Sequence, residues 1–128
     1  DLDNLKKVND TFGHGEGDRL LFNFSQFIKE KLEDTTLIVR WGGDEFLLFF
    51  MNHSPELVVE KLEQVLKEYR KVEEFPFPLG FSCGIAAFPE EGTCMNTLFI
   101  RADEYLYQAK QEGKGLIRGK RRPTTSNI

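Results

Sequence analysis

The heptapeptide Arg40-Trp41-Gly42-Gly43-Asp44-Glu45-Phe46 sets two carboxylates directly behind a glycine pair, between the apolar runs Thr36 to Val39 and Phe46 to Phe50. Glycines between two such runs read as the tight turn of a β-hairpin, with strands near residues 36–40 and 45–51. Backbone without Cβ atoms admits a large anionic ligand, and carboxylates beside it suit a divalent cation. From these residues alone, a surface hairpin with solvated acids reads equally well. A third acid, Asp1, lies far away in the chain. If Asp1 ends a central strand and the hairpin pairs beside it, Asp1, Asp44 and Glu45 meet at one edge of a sheet. Carboxylates brought together repel unless a cation or a shared proton relieves them. Hard oxygen donors favour magnesium or manganese over zinc, and magnesium commonly shares its shell with substrate phosphates. A nucleoside triphosphate is the substrate class this implies.

Asn9 and Asp18 are the residue types able to read a guanine edge: the carboxylate accepts from ring N–H and exocyclic amine, and the amide donates and accepts. Capping of a loop or helix is the alternative for both. Lys6, Lys110 and Lys114 could neutralise phosphates, or be plain surface charge. His14, between Gly13 and Gly15, could touch ribose or phosphate, or simply close its loop.

The elements that must position these residues follow from periodicity. Residues 1–10 read as a strand end followed by a loop or short helical turn, and 11–18 as a glycine-punctuated loop. From Asp18, Leu20, Leu21, Phe24, Phe27, Ile28 and Leu32 recur at helical spacing. After the hairpin, Ser54-Pro55 reads as an N-cap with proline at the first helical position, and Val58, Leu62, Val65, Leu66 and Tyr69 form one buried face. Pro76 and Pro78 close that segment. Leu79 to Phe88 reads as a strand whose small residues Gly80, Ser82, Gly84 and Ala86 suit close approach by a neighbour, or equally a crowded core. A last helix presents Leu98, Phe99, Ala102, Leu106 and Ala109 inward, Gly113 ends it, and Leu116 to Arg118 is a short strand. With a first strand restored ahead of Asp1, the order is β-α-β-β-α-β-α-β. This is an α+β domain: a mixed central β-sheet flanked by helices, with a ferredoxin-like βαββαβ core.

Composition agrees with one domain over residues 1–122 and a tail over 123–128. The chain has 128 residues, 40% hydrophobic and 30% charged, with net charge -4. That balance argues against a nucleic-acid binder, and the basic cluster Lys114, Arg118, Lys120, Arg121 and Arg122 reads as a solvated local patch. Cys83 and Cys94 lack metal-ligand spacing and read as reduced thiols of an intracellular chain. No apolar run approaches a membrane span.

The ordered set of motifs strongly resembles the GGDEF domain of diguanylate cyclases, a nucleotidyl-cyclase-like fold. It comprises Asp1-Leu2-Asp3 with Lys6 and Asn9-Asp10, then Gly13-His14, Gly17-Asp18 and Arg40 to Phe46. Ser82-Cys83-Gly84-Ile85, Ala102-Asp103, Leu106-Tyr107, Ala109-Lys110 and Gly113 complete it. The resemblance implies condensation of two GTP molecules to cyclic di-GMP, with each 3′-hydroxyl attacking the other's α-phosphate across a homodimer. It implies Mg²⁺ or Mn²⁺ held by Asp1, the Leu2 carbonyl and Asp44, with Glu45 in support and Asp44 also as base. It further implies Asn9 and Asp18 as guanine readers, His14 as a substrate contact, and Lys6, Lys110 and Lys114 near the phosphates. Gly42 and Gly43 would leave room for nucleotide, and Asp103 and Tyr107 would support the fold. The family's first helix and most of its first strand fall upstream of Asp1, so the chain reads as a cytoplasmic segment of a longer protein carrying a sensory or regulatory domain.

Four positions depart from the family pattern. Leu5 replaces a usual Phe, and Lys114 replaces a usual Arg, keeping charge but losing the planar fork. The family's inhibitory product site has Arg-x-x-Asp where this chain has Glu33 and Thr36, so that site is expected to be absent or poor. The rival expectation is a GTP- or product-binding regulatory module that does not turn over.

Overall fold

A computed structural model describes residues 1–32, 36–76 and 79–120. In chain order the elements are α1 (Leu5–Phe12), α2 (His14–Lys31), β1 (Thr36–Gly42), β2 (Glu45–Phe50), α3 (Pro55–Tyr69), β3 (Cys83–Ile85), α4 (Met95–Gln111) and β4 (Ile117–Gly119).

The opening departs from the expected loop. Residues 5–12 form two turns of helix because Val8 is fully buried and Leu5 packs against the same core. Gly13, at φ 95°, ends that helix, and its carbonyl accepts from the N–H groups of Glu16 and Gly17. The next helix therefore starts at His14 rather than Asp18, and the glycine-rich stretch is a helix–glycine–helix corner. Leu20, Leu21, Phe24, Ile28 and Leu32 are buried as their spacing requires. Phe24 makes edge or tilted ring contacts with Phe46, Tyr69 and Phe81, which ties α2 to β2, α3 and the 79–82 segment.

The start of α3 follows its sequence signature: the Leu57 N–H donates to Ser54 Oγ at 3.1 Å, with Pro55 in the first turn. Val58, Leu62, Val65, Leu66 and Tyr69 are buried, joined by Val59. Pro78 lies outside the described residues.

β1 and β2 pair antiparallel, and β3 and β4 pair parallel. Residues 1–3 join the two ladders. Leu2 N–H donates to the Asp44 carbonyl at 3.1 Å, Asp3 N–H to Gly80 O at 3.0 Å, and Ser82 N–H to Asp1 O at 2.8 Å. A groove of about 740 Å³ runs between β2 and residues 82–88 and is floored in part by α4. The third strand is shorter than the expected span of residues 79–88. Residues 80–82 engage residues 1–3 through an isolated bridge, and Ala87 N–H turns to Glu91 Oε1 instead of continuing a ladder. The last strand is shifted by one residue, to Ile117–Gly119.

Close approach is real at Gly84, where an added Cβ would lie 1.9 Å from the Ala102 carbonyl oxygen and 2.5 Å from Leu106 N. α4 thus packs its backbone onto β3. Of its expected inner face only Ala109 is buried; Leu98, Phe99, Ala102 and Leu106 are half-buried because they border the groove. Cys83 and Cys94 are both free thiols. No helix among the described residues is long and apolar enough to cross a membrane.

Candidate active site

The hairpin's turn is built one residue later than the glycine pair suggests. Gly42 pairs with Glu45, so the two loop residues are Gly43 and Asp44, and Trp41 occupies a bulge between Arg40 and Gly42. Gly43 sits at φ 50°, a region where a side chain is strained, which explains glycine at the first loop position. Arg40 locks the turn by donating Nε and Nη2 to the Gly43 carbonyl at 3.1 and 2.7 Å. A Cβ on Gly42 or Gly43 would meet nothing within 4 Å among the described residues, which leave the space above both open.

Leu2, 2% exposed, anchors this turn through its hydrogen bond to the Asp44 carbonyl. Asp1 and Asp44 are thereby held on neighbouring backbone segments. The Asp1 side chain is only 3% exposed and forms an ion pair with Lys110 Nζ, from the last turn of α4. Its other oxygen, Oδ1, is buried without a hydrogen-bond partner among the described residues. A buried carboxylate oxygen with spare lone pairs is costly unless something positive meets it. Asp44 and Glu45 are half-buried, and among the described residues no three His, Cys, Asp or Glu side chains gather closely enough to hold a metal by themselves. The arrangement fits a hard cation that takes a few protein oxygens and completes its shell with water and phosphate.

The corner between α1 and α2 supplies the second cluster. The Asn9 amide lies over Gly17, where an added Cβ would fall 1.8 Å from Asn9 Oδ1. Asp18 follows Gly17 directly and is exposed, as is His14. The fold therefore brings Asn9 and Asp18 to one corner, with His14 one helical turn before Asp18. Lys6 is exposed and bonded to Asp10 at 2.8 Å, and that hydrogen bond raises its pKa above the ordinary lysine value. Lys114 is exposed in the turn after α4.

The sequence reading gave no role in the site to four positions, three of which (Asp3, Arg40 and Ser82) it had named only as parts of motifs. Asp3 and Ser82 are buried and bonded to each other and to Gly115, Arg70 reaches the same turn, and Arg40 fixes the hairpin loop. The period-2 pair Asp1 and Asp3 around a core leucine was the available signal for Asp3. Nothing local marks Arg70. Glu33 and the side chain of Thr36, the two departures at the product site, lie outside the described residues, as do Arg121 and Arg122 of the basic cluster. Arg118 is ion-paired with Glu112.

An acidic hairpin turn hydrogen-bonded to the segment that carries a buried carboxylate, on an α+β frame, is the nucleotidyl-cyclase-like architecture. A family model described as "Diguanylate cyclase, GGDEF domain" matches residues 1–115, and the chain belongs to that family. The chain is 38% identical over 122 residues to the cyclic di-GMP phosphodiesterase PdeR of Escherichia coli, covering 90% of this chain and 18% of the relative. It is 34% identical over 117 residues to the diguanylate cyclase DgcS of Shewanella oneidensis, covering 89% of this chain and 38% of the relative. The chain thus spans well under half the length of these curated relatives. Among solved structures it resembles the active GGEEF domain of a diguanylate cyclase from Vibrio cholerae, with a TM-score of 0.86 and 26% identity, covering 95% of this chain and 80% of that one. It also resembles the GGDEF domain of DgcB from Caulobacter crescentus in complex with cyclic di-GMP, with a TM-score of 0.81 and 27% identity, covering 93% and 73% respectively.

Proposed function

We propose that residues 1–122 form a diguanylate cyclase domain that condenses two GTP molecules into cyclic di-GMP and two pyrophosphates, working as a homodimer. The observation that carries this reading is the Asp44 turn hydrogen-bonded beside the buried, half-satisfied carboxylate of Asp1. Asn9 and Asp18 bind the guanine edge from the α1–α2 corner, and His14 contacts the ribose or phosphates. The Asp44 carboxylate accepts the proton of the attacking 3′-hydroxyl, with Glu45 supporting it. Lys6 and Lys114 bind phosphate oxygens, and Lys110 exchanges its partner Asp1 for phosphate when nucleotide arrives. Open space above Gly42 and Gly43 lets the triphosphate lie against the turn. Mg²⁺ (or Mn²⁺), held by Asp1, the Leu2 carbonyl, Asp44 and Glu45, would supply charge neutralisation at the α-phosphate and the leaving pyrophosphate. Each domain presents one nucleotide, so two copies facing each other solve the orientation problem of joining two bound substrates.

A second reading, a GGDEF module that binds nucleotide to regulate a linked activity without turnover, is favoured by one relative, PdeR, being named a phosphodiesterase. Incubation with GTP and Mg²⁺, followed by mass spectrometry over a range of protein concentrations, separates the two. Cyclic di-GMP forming with a steep dependence on protein concentration supports the dimeric cyclase. Bound GTP with no product at any concentration leaves the regulatory module.

A further inference from the structure

Chain segments far apart in sequence converge on the short turn that carries Lys114. The N–H of Gly115 donates to Asp3 Oδ2 at 3.0 Å and to Ser82 Oγ at 2.9 Å. The Ser82 hydroxyl donates in turn to Asp3 Oδ1 at 3.0 Å. From the opposite side, the Gly115 carbonyl accepts from Arg70 Nη2 at 2.6 Å. Ser82 is fully buried and Asp3 is 9% exposed, so the first arm is a buried, satisfied polar network. The second arm is an exposed guanidinium at the C-cap of α3.

What these bonds hold is an unfavourable backbone. Lys114 adopts φ 66°, between Gly113 at φ 126° and Gly115 at φ 61°. A lysine in the left-handed region is opposed by its own Cβ and persists only where the surroundings over-determine it. Gripping the next residue by both its N–H and its C=O supplies that constraint. The same turn follows the α4 residue Lys110, whose ammonium is already at Asp1, and Asp3 lies two residues beyond Asp1.

We propose that Asp3, Ser82 and Arg70 clamp the turn at residues 113–115 so that Lys114 is presented to the phosphates of the bound nucleotide. Arg70 is a positioning residue that acts through Lys114 and touches no substrate. The inference rests on the nucleotide-binding reading above and names a residue that reading does not use. Lysine, unlike arginine, offers a flexible point charge, so its direction has to come from the backbone that carries it.

The test is a double-mutant cycle on GTP affinity in Mg²⁺, measured by calorimetry without reliance on turnover. Wild type, Arg70→Ala, Lys114→Ala and the double variant are compared, with Arg70→Lys as the conservative control. Arg70→Ala is expected to weaken GTP binding about tenfold, the size of one lost charge-assisted hydrogen bond. In the Lys114→Ala background the same change should cost nothing, and Arg70→Lys should recover most of the affinity. A merely structural arginine would lower the unfolding temperature and leave the two losses independent. Equal costs of Arg70→Ala in both backgrounds, or no cost in either, overturn the clamp alone. A wild type that binds no GTP overturns the nucleotide reading and the clamp with it.

Discussion

Gly17→Ala separates folding from recognition at the α1–α2 corner. Gly17 lies inside α2, so alanine should gain helix propensity worth about 0.8–1 kcal/mol. Against that, the new Cβ would fall 1.8 Å from Asn9 Oδ1 and 2.8 Å from its Cγ. The opposing atoms end a short side chain and are not backbone, so Asn9 can rotate away at small cost. Net stability should therefore change by less than about 1 kcal/mol, or roughly 4 °C in unfolding temperature. On the proposed role of Asn9 as a guanine reader, the displaced amide would no longer reach the base. Losing its hydrogen bonds should cost about 1.5 kcal/mol, or roughly tenfold in GTP affinity. Gly15→Ala is the internal control, because its Cβ would meet nothing within 4 Å: it should be neutral to stabilising and leave GTP affinity unchanged. Thermal unfolding gives the first quantity, and parallel titrations with GTP and ATP give the second. Unchanged GTP preference in Gly17→Ala would refute Asn9 as a guanine reader. A destabilisation of several kcal/mol would refute the claim that Asn9 can move aside.

Other expectations follow from packing and charge. Gly84→Ala meets backbone atoms of α4 at 1.9 and 2.5 Å, which cannot rotate away, so it should destabilise by about 3 kcal/mol, read as a lower urea midpoint. The Tyr69 hydroxyl is buried without a hydrogen-bond partner among the described residues, and burial pushes its pKa well above the ordinary tyrosine value. The stability tied to its neutral phenol is thus complete below a pH of about 10 and is lost as pH rises beyond that, when only the unfolded chain ionises. Tyr69→Phe should gain about 1 kcal/mol at neutral pH and flatten that alkaline decline in denaturation curves; an unchanged decline would count against it. With Glu33 and Thr36 in place of Arg-x-x-Asp, calorimetry with cyclic di-GMP should find no tight site that survives Asp18→Ala.

The sequence reading succeeded where one residue type answers one physical need. Ser54-Pro55 announced the start of α3, the 3.6-residue period marked the buried faces of α2 and α3, and of the four small residues read as suiting close approach, Gly84 is the one that meets a helix backbone. It failed at residues 11–18, where glycines suggested a loop. Gly17 is instead a helical residue kept bare by Asn9, a tertiary demand that no local pattern carries. The same limit hid the clamp: Asp3, Ser82, Arg70 and Gly115 share no local motif and are related only through folding. In the site, the sequence placed Asp1 beside the acidic turn through an assumed strand pairing; a single Leu2–Asp44 backbone hydrogen bond links the two segments, while the bridge formed by Leu2 is to Phe81. The ion pair between Asp1 and Lys110 was not foreseen, since a lysine over a hundred residues away offers no spacing rule.

The measurement that bears most directly on the central claim compares wild type with Asp44→Asn, which keeps the size of the side chain but removes its charge and basicity. Both are incubated with GTP and Mg²⁺, cyclic di-GMP is quantified by mass spectrometry, and GTP binding is measured alongside. The account predicts product from the wild type, a loss of at least about a hundredfold in the variant, and guanine-selective binding retained in both. Equal product from the two would contradict the role given to Asp44, and no product from a wild type that binds GTP would contradict the cyclase.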